Sequence, residues 1–302
     1  MEHDWVLYIA AFSTAFAISN VMTPVAKKIS LKLGAIDMPK ARGMHKKPMP
    51  RMGGIAIVAG FTLTVLLLYN FTEYSDMHKL TGYFIGAAMI VVLGMVDDVK
   101  NLPAKFKFAV QILAALVAVA FGIRIHIVMW PVTYALLKLS IPITVIWIVG
   151  LTNAVNLIDG LDGLATGVSS IAAICIMVLC ILTGDETSVV LTAALAGSCL
   201  GFLPRNFNPA EIFMGDTGAT FLGYTLAVTS ILGVFKGYAM IALMVSVLAV
   251  GFPIFDTLFA MTRRAARHQP IMQADRGHLH HKLIDRGFSQ KQAVMILYGI
   301  SA

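Results

Sequence analysis

Long apolar runs separated by short polar loops dominate the pattern of this chain. The runs are roughly 16–22 residues long, which is close to the length that an α-helix needs to cross a membrane. We therefore predict about ten transmembrane helices, nine complete and the last one partial. The spans lie at roughly 5–25, 53–70, 81–96, 108–123, 141–157, 166–183, 188–204, 218–235 and 238–260, and the tenth begins near 291 and stops at Ala302.

Composition agrees with a membrane protein. Of the 302 residues, 58% are hydrophobic and 13% are charged, whereas a soluble domain carries about twice that charged fraction. A transmembrane barrel would need alternating segments of about ten residues, which are absent. The predicted fold is an all-α polytopic integral membrane protein with a single transmembrane domain over residues 1–302. Its first apolar run follows Glu2 and Asp4 rather than a basic segment, which indicates a transmembrane helix that is kept and not a signal peptide that is cleaved.

Lysine and arginine are unevenly distributed between the two sides of the predicted bundle. The loops at 26–52, 97–107, 158–165, 205–217 and 261–291 hold 19 of the 23 basic residues. Basic residues favour the cytoplasmic side of a membrane, so we predict that these loops are cytoplasmic and that the N-terminus lies outside. The net charge of +7 is explained by this orientation, and no nucleic acid partner is predicted.

Amides and carboxylates recur at every third position in the stretch Asn153–Gly163, between two apolar runs. They are Asn153, Asn156, Asp159 and Asp162. Residues three apart share a helix face, and a helix cap needs only one such residue. Gly160 and Gly163 would let the backbone approach a ligand closely. Because ionisable groups at a membrane helix end are costly without water, metal or polar partners, we predict a functional site here.

Two other predicted cytoplasmic loops carry candidate catalytic groups. Asp97 and Asp98 end one span, and adjacent carboxylates favour a nearby cation or a raised pKa; a solvated turn is the alternative. Asp216 begins another span, where it would either bind a metal or complement the helix macrodipole. Phe213 in the same loop is a candidate stacking surface, although a single aromatic residue also suits membrane packing.

Two basic loops complete the predicted cytoplasmic side. The loop from Lys27 to Met52 has two interpretations: an orientation signal that contacts anionic headgroups, or a substrate phosphate site formed by Lys46, Lys47 or Arg51. The last loop contains Arg263, Arg264, Arg267, Arg276, His278, His280 and His281. A histidine cluster can bind zinc, but the arginines would repel a cation. We therefore favour phosphate recognition by this loop.

These loops combine oxygen groups suited to Mg²⁺ with cations suited to a diphosphate. Mg²⁺ usually binds a few protein oxygens together with substrate phosphates, and phosphoryl transfer uses that combination. A site set into the membrane surface predicts one water-soluble and one lipid substrate. A transporter of anionic lipids, with carboxylates that bind a coupling ion, is the alternative, although no internal repeat is evident.

Four motifs in order resemble the polyprenyl-phosphate N-acetylhexosamine-1-phosphate transferase superfamily. They are Asp97-Asp98, Asn153–Gly163, Phe213-Met-Gly-Asp-Thr-Gly218 and Asp275-Arg-Gly-His-Leu-His-His281. The last motif is similar to the bacterial branch that uses UDP-N-acetylglucosamine (UDP-GlcNAc). The peptidoglycan branch, phospho-N-acetylmuramoyl-pentapeptide transferase, typically has three consecutive histidines there and is the alternative. Asn101 stands where the aspartate motif of the family often has a third acidic residue. Members also usually extend by one or two spans beyond this C-terminus, so we expect a short or truncated chain.

The resemblance implies transfer of N-acetylglucosamine-1-phosphate from UDP-GlcNAc to undecaprenyl phosphate at the bacterial inner membrane. UMP is released, and a lipid-linked surface glycan such as teichoic acid or O-antigen is started. It implies Mg²⁺ as the cofactor, with Mn²⁺ as an alternative, and it allows a homodimer. A single in-line attack by the lipid phosphate is expected, and a two-step route through an aspartyl-phosphate on Asp98 or Asp216 is the alternative.

The same resemblance implies residue roles by motif. The catalytic residues would be Asp97, Asp98, Asp159 and Asp216, and the metal ligands would be Asn156 and Asp216. The substrate-binding residues would be Lys107, Asn153, Asp162, Phe213, Arg276, His278, His280 and His281. Within these sets, Asp98 would orient or deprotonate the lipid phosphate, and Phe213 would stack on uracil. The late loop would bind the diphosphate and the sugar.

Overall fold

The computed structural model describes residues 4–39, 48–68, 71–72, 76–125, 133–234, 251, 255, 262 and 279–301. Within these ranges the helices are α1 (Trp5–Leu33), α2 (Gly54–Leu67), α3 (Met77–Lys100), α4 (Ala104–Ala120), α5 (Thr133–Ile158), α6 (Leu164–Thr183), α7 (Glu186–Asn206), α8 (Gly215–Val234), α9 (Leu279–Asp285) and α10 (Gln290–Ser301). The strands β1 (Ile36–Asp37) and β2 (Met49–Pro50) lie between α1 and α2.

Several of these helices have the length and composition of membrane spans. Five segments within the described ranges qualify, and α2 is a shorter apolar helix. The five are Trp5–Leu33, Met77–Lys100, Leu139–Ile158, Leu164–Thr183 and Glu186–Asn206. The predicted class, a largely helical polytopic membrane protein, is therefore supported. The total of ten spans and the orientation stay predictions, and most of the predicted span 238–260 lies outside the described residues.

The helix ends follow from local sequence. Asp4 and Asp76 cap α1 and α3 by accepting a hydrogen bond from the backbone three residues ahead, which satisfies an otherwise unpaired N–H group. α1 ends at Leu33 and is followed by Gly34, whose φ of 70° is the left-handed conformation that glycine adopts without a steric cost. α10 begins at Gln290, close to the predicted start at residue 291.

The short strands are the one departure from an all-α fold among the described residues. Ile36 pairs with Pro50 and Asp37 with Met49, in antiparallel register. Proline fixes its own φ and keeps the preceding residue out of the helical region, so the Pro-Met-Pro sequence that ends at Pro50 forms a strand. The apolar pattern cannot indicate this element, because it is only two residues long.

Helix α8 occupies the centre of the bundle, where it packs against α2, α3, α5, α6 and α7. Glycines permit the closest approaches to its first turn. A Cβ atom on Gly54 would lie 2.1 Å from the backbone nitrogen of Gly218, and one on Gly94 would lie 2.5 Å from the Cα of Thr217. Small residues let membrane helices approach backbone to backbone. The beginning of α8 is thereby held against the beginning of α2 and the last two turns of α3.

Successive helices run in opposite directions, so their polar ends gather at two places. We call the end that contains Asp98, Lys107, Asp159 and Asp216 the site end, and the end that contains Asp4, Asp76 and Asp185 the opposite end. The three predicted motif regions that the structure describes all lie at the site end, since α3 and α5 finish there and α4, α6 and α8 begin there.

Candidate active site

The carboxylate of Asp98, at the end of α3, holds the beginning of α8. Its Oδ1 accepts a hydrogen bond from the Asp216 backbone N–H at 2.9 Å, and its Oδ2 accepts from the Thr217 N–H and hydroxyl at 3.0 and 2.6 Å. The Asp98 side chain is fully buried. A helix N-terminus presents unpaired N–H groups and partial positive charge. Asp98 therefore serves as the cap of a helix that lies more than a hundred residues away in sequence.

Lys107 connects the other two acidic positions of the cluster. Its Nζ donates to Asp97 Oδ2 at 2.9 Å and to Asp216 Oδ2 at 2.8 Å. The second oxygen of Asp97 accepts from the Leu102 backbone N–H. The Asp97 side chain is 4% exposed, whereas those of Lys107 and Asp216 are 27% and 24% exposed. The partly exposed Lys107–Asp216 pair is thus the part of the cluster that a ligand can reach.

Arg51 joins the first loop to the end of α3. Its Nε donates to Asp98 Oδ1 at 3.2 Å, and its two terminal nitrogens donate to Asn101 Oδ1 and to the Asp97 carbonyl, each at 3.3 Å. Asn101 has a positive φ of 49°, a conformation that asparagine tolerates better than most residues. The asparagine that replaces the expected third acid therefore ends helix α3 and accepts a hydrogen bond from Arg51.

Backbone hydrogen bonds bring the loop before α8 against the same segment. The Phe213 N–H donates to the Pro50 carbonyl at 2.8 Å, and the Gly53 N–H donates to the Phe213 carbonyl at 2.9 Å. The Phe213 side chain is partly exposed beside this pairing. The first loop is therefore more than an orientation signal, because its C-terminal part is built into the site. Lys46 and Lys47 lie outside the described residues.

The stretch Asn153–Gly163 does not form one continuous helix. α5 ends at Ile158, and a turn follows in which Gly163 has a φ of 80°. The expectation that all four polar residues share one helix face is therefore wrong for Asp159 and Asp162. Glycines that loosen the backbone also end the helix, which the three-residue spacing cannot reveal.

Each polar residue of this stretch has a different neighbour. Asn153 donates to Gln111 Oε1 of α4 at 2.6 Å, and the Asn156 side chain lies near enough to the Asp216 carboxylate to help lower its pKa. Asp162 Oδ2 accepts from Asn208 Nδ2 at 3.0 Å and from the Ala210 N–H at 3.2 Å. The structure thus brings Asn156 to the acidic cluster, while Asn153 links α4 to α5 and Asp162 holds the loop between α7 and α8.

Asp159 lies where negative charge accumulates. Burial, followed by the nearby carboxylates of Asp216, Asp98 and Asp162, raises the pKa of Asp159 to about 8. Desolvation and like charges both disfavour the ionised form of a carboxyl group. Burial and like charge together therefore favour the protonated form of Asp159 at neutral pH.

The C-terminal helix α10 holds this turn from the other side. The Tyr298 hydroxyl donates to the Gly163 carbonyl at 2.5 Å, and Gln290 Oε1 accepts from Asn208 Nδ2 at 3.0 Å. A Cβ atom on Gly167 would lie 2.1 Å from the Tyr298 ring, so this glycine makes room for the tyrosine. Sequence reasoning did not identify Tyr298 or Gln290, since neither lies in a recognisable motif.

The predicted histidine loop falls largely outside the part of the chain that the structure describes. Arg276 and His278 are not among the described residues. His280 and His281 belong to α9, but their side chains are likewise outside the description. The predicted contacts of this loop with a diphosphate and a sugar therefore stay predictions.

The carboxylate and amide oxygens of the site fit a divalent cation whose coordination shell is completed by the substrate. Among the described residues, no group of three or more His, Cys, Asp or Glu side chains is arranged to hold a metal ion. Mg²⁺, however, often takes only one or two carboxylates and fills its shell with phosphates and water. The cluster contains the carboxylates of Asp97, Asp98, Asp159 and Asp216 against the cations Lys107 and Arg51. When all four are ionised, two negative charges remain, which a divalent ion would neutralise.

A membrane-embedded helical bundle with a buried acidic cluster and a lysine at one end defines a site for charged substrates at a membrane surface. The family model of glycosyl transferase family 4 matches residues 80–234, a range that contains Asp97, Lys107 and Asp216. The chain belongs to this family. The resemblance to polyprenyl-phosphate N-acetylhexosamine-1-phosphate transferases is thereby confirmed.

Similar bacterial proteins cover nearly the whole chain. A Bacillus subtilis protein named probable undecaprenyl-phosphate N-acetylglucosaminyl 1-phosphate transferase is 40% identical, over 99% of this chain and 83% of its own length. A decaprenyl-phosphate N-acetylglucosaminephosphotransferase of Mycolicibacterium smegmatis is 34% identical, over 94% and 77%. An undecaprenyl-phosphate alpha-N-acetylglucosaminyl 1-phosphate transferase of Thermotoga maritima is 30% identical, over 95% and 84%.

Proposed function

We propose that this protein transfers N-acetylglucosamine-1-phosphate from UDP-GlcNAc to undecaprenyl phosphate and releases UMP. The observation that carries the proposal is the lysine of α4 held between carboxylates of α3 and α8, 2.9 and 2.8 Å away, at one end of a membrane bundle. Such a site can receive a phosphate from the lipid and a diphosphate from water. The names of the similar proteins support GlcNAc-1-phosphate as the transferred group.

In this proposal Asp216 and Asn156 hold Mg²⁺. Their side chains are neighbours, and Asp216 is partly exposed, so both can contribute oxygen to an ion that also contacts phosphate. When bound, the ion neutralises charge on the diphosphate and on the departing UMP. Mn²⁺ is an alternative to Mg²⁺, because both are hard cations that accept oxygen ligands.

The lipid phosphate is the nucleophile of the proposed reaction. A phosphate monoester has a second pKa near 6 and is largely dianionic at pH 7, so it needs orientation more than deprotonation. Lys107 would orient it. One oxygen of the lipid phosphate forms a bond to the phosphorus attached to the sugar, and the bond from that phosphorus to the UMP oxygen breaks. UMP leaves with the electron pair, so the atoms and charges balance.

Asp98 has a positioning role in this scheme rather than the catalytic role that its motif implies. Each of its oxygens already accepts hydrogen bonds, from the backbone of Asp216 and Thr217 and from Arg51. A carboxylate held in this way is poorly placed to attack phosphorus, which favours the one-step route over an aspartyl-phosphate on Asp98. Asp97 would keep Lys107 in place, and Asp159 would contact the nucleotide or the ligand shell of the metal ion.

The remaining residues would recognise the nucleotide sugar. Phe213 is partly exposed next to the cluster and would stack on uracil. We assign Arg276, His278, His280 and His281 to the diphosphate and the sugar, since guanidinium groups suit bidentate contacts with phosphates. Asn153 and Asp162 would act by holding α5 and the loop before α8 in position.

We place the single transferase domain in the bacterial inner membrane, with the site end towards the cytoplasm. The basic residues of the loops at that end support this orientation. The product would start a lipid-linked cell-surface glycan, for which teichoic acid and O-antigen are the candidates.

The test is release of UMP by the purified protein in lipid nanodiscs. We expect release from UDP-GlcNAc that requires both undecaprenyl phosphate and Mg²⁺, and a panel of UDP-sugars would define the donor. The Asp216→Asn protein serves as the matched control. In sealed proteoliposomes, transbilayer movement of undecaprenyl phosphate without UMP release would support the transporter alternative. In nanodiscs, turnover only with UDP-N-acetylmuramoyl-pentapeptide would support the peptidoglycan branch.

A further inference from the structure

The ammonium of Lys107 occupies a position between two carboxylate oxygens of different helices. It lies 2.9 Å from Asp97 Oδ2 and 2.8 Å from Asp216 Oδ2. The Lys107 side chain is 27% exposed, so it reaches inward from the first turn of α4. Lys107 thus neutralises the Asp216 carboxylate that the proposed function assigns to a metal ion.

The remaining oxygens of Asp97 and Asp98 are committed to backbone groups. Asp97 Oδ1 accepts from the Leu102 N–H, and both Asp98 oxygens accept from the beginning of α8. These hydrogen bonds hold secondary structure together and cannot be released without local unfolding. The bond between Lys107 and Asp216 has no such function, because it joins two partly exposed side chains.

A metal ion and an ammonium group bound to the same carboxylate compete for its negative charge. Two cations that share one carboxylate repel each other strongly where the dielectric is low. A lysine side chain has a flexible four-carbon stem and three donors, so it can change partners easily. An anionic phosphate that arrives beside the metal ion offers the ammonium a new partner.

We infer that Lys107 is the resident counter-ion of the metal-free site and exchanges its partner when metal binds. The metal ion takes Asp216, and the ammonium keeps Asp97 and turns from Asp216 to the phosphate of the lipid substrate. This inference rests on the proposed function and adds that metal binding and lipid phosphate binding are coupled through one side chain. Because coupling of two binding events is reciprocal, each ligand should raise the affinity for the other.

The first test measures Mn²⁺ binding to the substrate-free protein by electron paramagnetic resonance. Replacement of Lys107 by methionine keeps an unbranched side chain and removes the competing charge, so we expect the Kd for Mn²⁺ to fall about tenfold, or about 1.4 kcal/mol. Lys105→Met is the matched control, since Lys105 is an exposed residue of the same helix turn and carries the same charge. Its Kd should change less than twofold.

An equal effect of the two substitutions, or weaker Mn²⁺ binding by Lys107→Met, would overturn the inference. Lys107→Gln is the second variant, in case the methionine protein does not fold, and it should tighten Mn²⁺ binding in the same direction. Neither measurement requires a nucleotide sugar or turnover. Failure of the proposed function would instead appear as absence of UMP release by the unaltered protein.

The second test measures the coupling by calorimetric titration with farnesyl phosphate, in the presence and absence of Mn²⁺. In the unaltered protein we expect Mn²⁺ to raise the affinity for farnesyl phosphate severalfold. In Lys107→Met this increase should disappear, because the ammonium that connects the two ligands is absent. A full increase in the variant would mean that the phosphate contacts the metal directly and that Lys107 exchanges no partner.

Discussion

Aspartate is used differently at the two ends of the bundle. At the opposite end, Asp4 and Asp76 each accept a hydrogen bond from the N–H of a residue three positions ahead, Leu7 and Lys79. These carboxylates cap the helices that they precede. At the site end, Asp98 caps α8 from the end of α3, across a separation of 118 residues from Asp216. The same interaction is local at one end and tertiary at the other.

The ion pairs of the two ends differ in the same way. The Asp76 and Lys79 side chains pair at 2.9 Å with 38% and 33% of their surfaces exposed, and exposed pairs contribute little stability. At the site end, Arg51 pairs with a fully buried Asp98. Burial of charge carries a desolvation cost that the attraction seldom exceeds. A cluster of this kind is therefore better explained by a requirement for charge at that place than by a contribution to folding.

The largest expected effect distinguishes the tertiary helix cap formed by Asp98 from the local helix cap formed by Asp76. Asp98→Ala removes one partner of a buried ion pair and leaves the beginning of α8 uncapped, so we expect a loss of about 3–5 kcal/mol in stability. Asp76→Ala at the opposite end should cost about 1 kcal/mol. Thermal unfolding in detergent can be followed with a thiol-reactive dye, because Cys180 and Cys199 are buried in the folded protein.

Both proteins should first be shown to be monodisperse at low temperature. Equal losses in the two variants would mean that the beginning of α8 does not depend on Asp98, and the contrast between the ends would then have no energetic basis.

The next effect concerns chemistry rather than stability. Asp216→Asn keeps the side-chain volume but removes the charge proposed to bind Mg²⁺, so we expect turnover to fall about 10²–10³-fold, or about 3–4 kcal/mol. Asp76→Asn makes the same substitution at the opposite end and should leave the rate of UMP release unchanged. More than about a tenth of the original activity at saturating Mg²⁺ would argue against Asp216 as a ligand.

Much of this contrast was open to prediction from sequence. Apolar runs predicted the helices well, since a helix such as α3 (Met77–Lys100) contains its predicted span, and the motif residues Asp97, Asp98 and Asp216 do gather at one end. Helices form from local patterns, and basic residues concentrated in alternate loops predict which helix ends lie on the same side of the membrane. Residue type and spacing were therefore sufficient for this level of detail.

The partners of each side chain could not be predicted, because they depend on tertiary packing. The roles of Arg51 and Tyr298 rest on contacts with residues 47 and 135 positions away. The shared helix face expected for Asn153–Asp162 failed because α5 ends at Ile158. The sequence pattern predicted which residue types form the site. The hydrogen bonds between those residues depend on the packing of α8 against its neighbours.

The two ends should also respond to pH with opposite sign. The pKa of Asp159 is raised to about 8 by burial and neighbouring carboxylates, so the folded state retains a proton that the unfolded state releases above about pH 4. This contribution lowers stability progressively as pH rises from about 4 to 8. Hydrogen bonds from Lys79 lower the pKa of Asp76, and that contribution is present above its ordinary pKa and lost as pH falls.

We therefore expect Asp159→Asn to gain stability relative to the unaltered protein as pH rises from about 5 to about 8.5. One pKa unit corresponds to about 1.4 kcal/mol, and partial exposure screens the effect, so the gain should be on the order of 1–2 kcal/mol. Asp76→Asn should show no such gain over that range. Thermal unfolding at a series of pH values measures both. A constant difference for Asp159→Asn would mean that Asp159 is ionised throughout the range.

The smallest expected effect on stability comes from removing a single hydrogen bond to a loop carbonyl, which can be done at either end. Tyr298 donates to the Gly163 carbonyl at the site end, and Ser140 donates to the Ile125 carbonyl at the opposite end. Tyr298→Phe and Ser140→Ala each remove one hydroxyl donor, so each should cost about 1 kcal/mol of stability. The two substitutions are therefore matched in their expected structural cost.

Their effects on catalysis should differ. The Gly163 carbonyl belongs to the turn that carries Asp159, and small displacements of groups at a reacting site reduce rate more than they reduce stability. We expect Tyr298→Phe to lower kcat severalfold with the KM for undecaprenyl phosphate unchanged, whereas Ser140→Ala should alter neither. Steady-state kinetics with each substrate varied in turn would measure this. If Tyr298→Phe behaves as Ser140→Ala does, α10 only covers the site, and the turn keeps its geometry through Asp162 and Asn208 without help from the C-terminal helix.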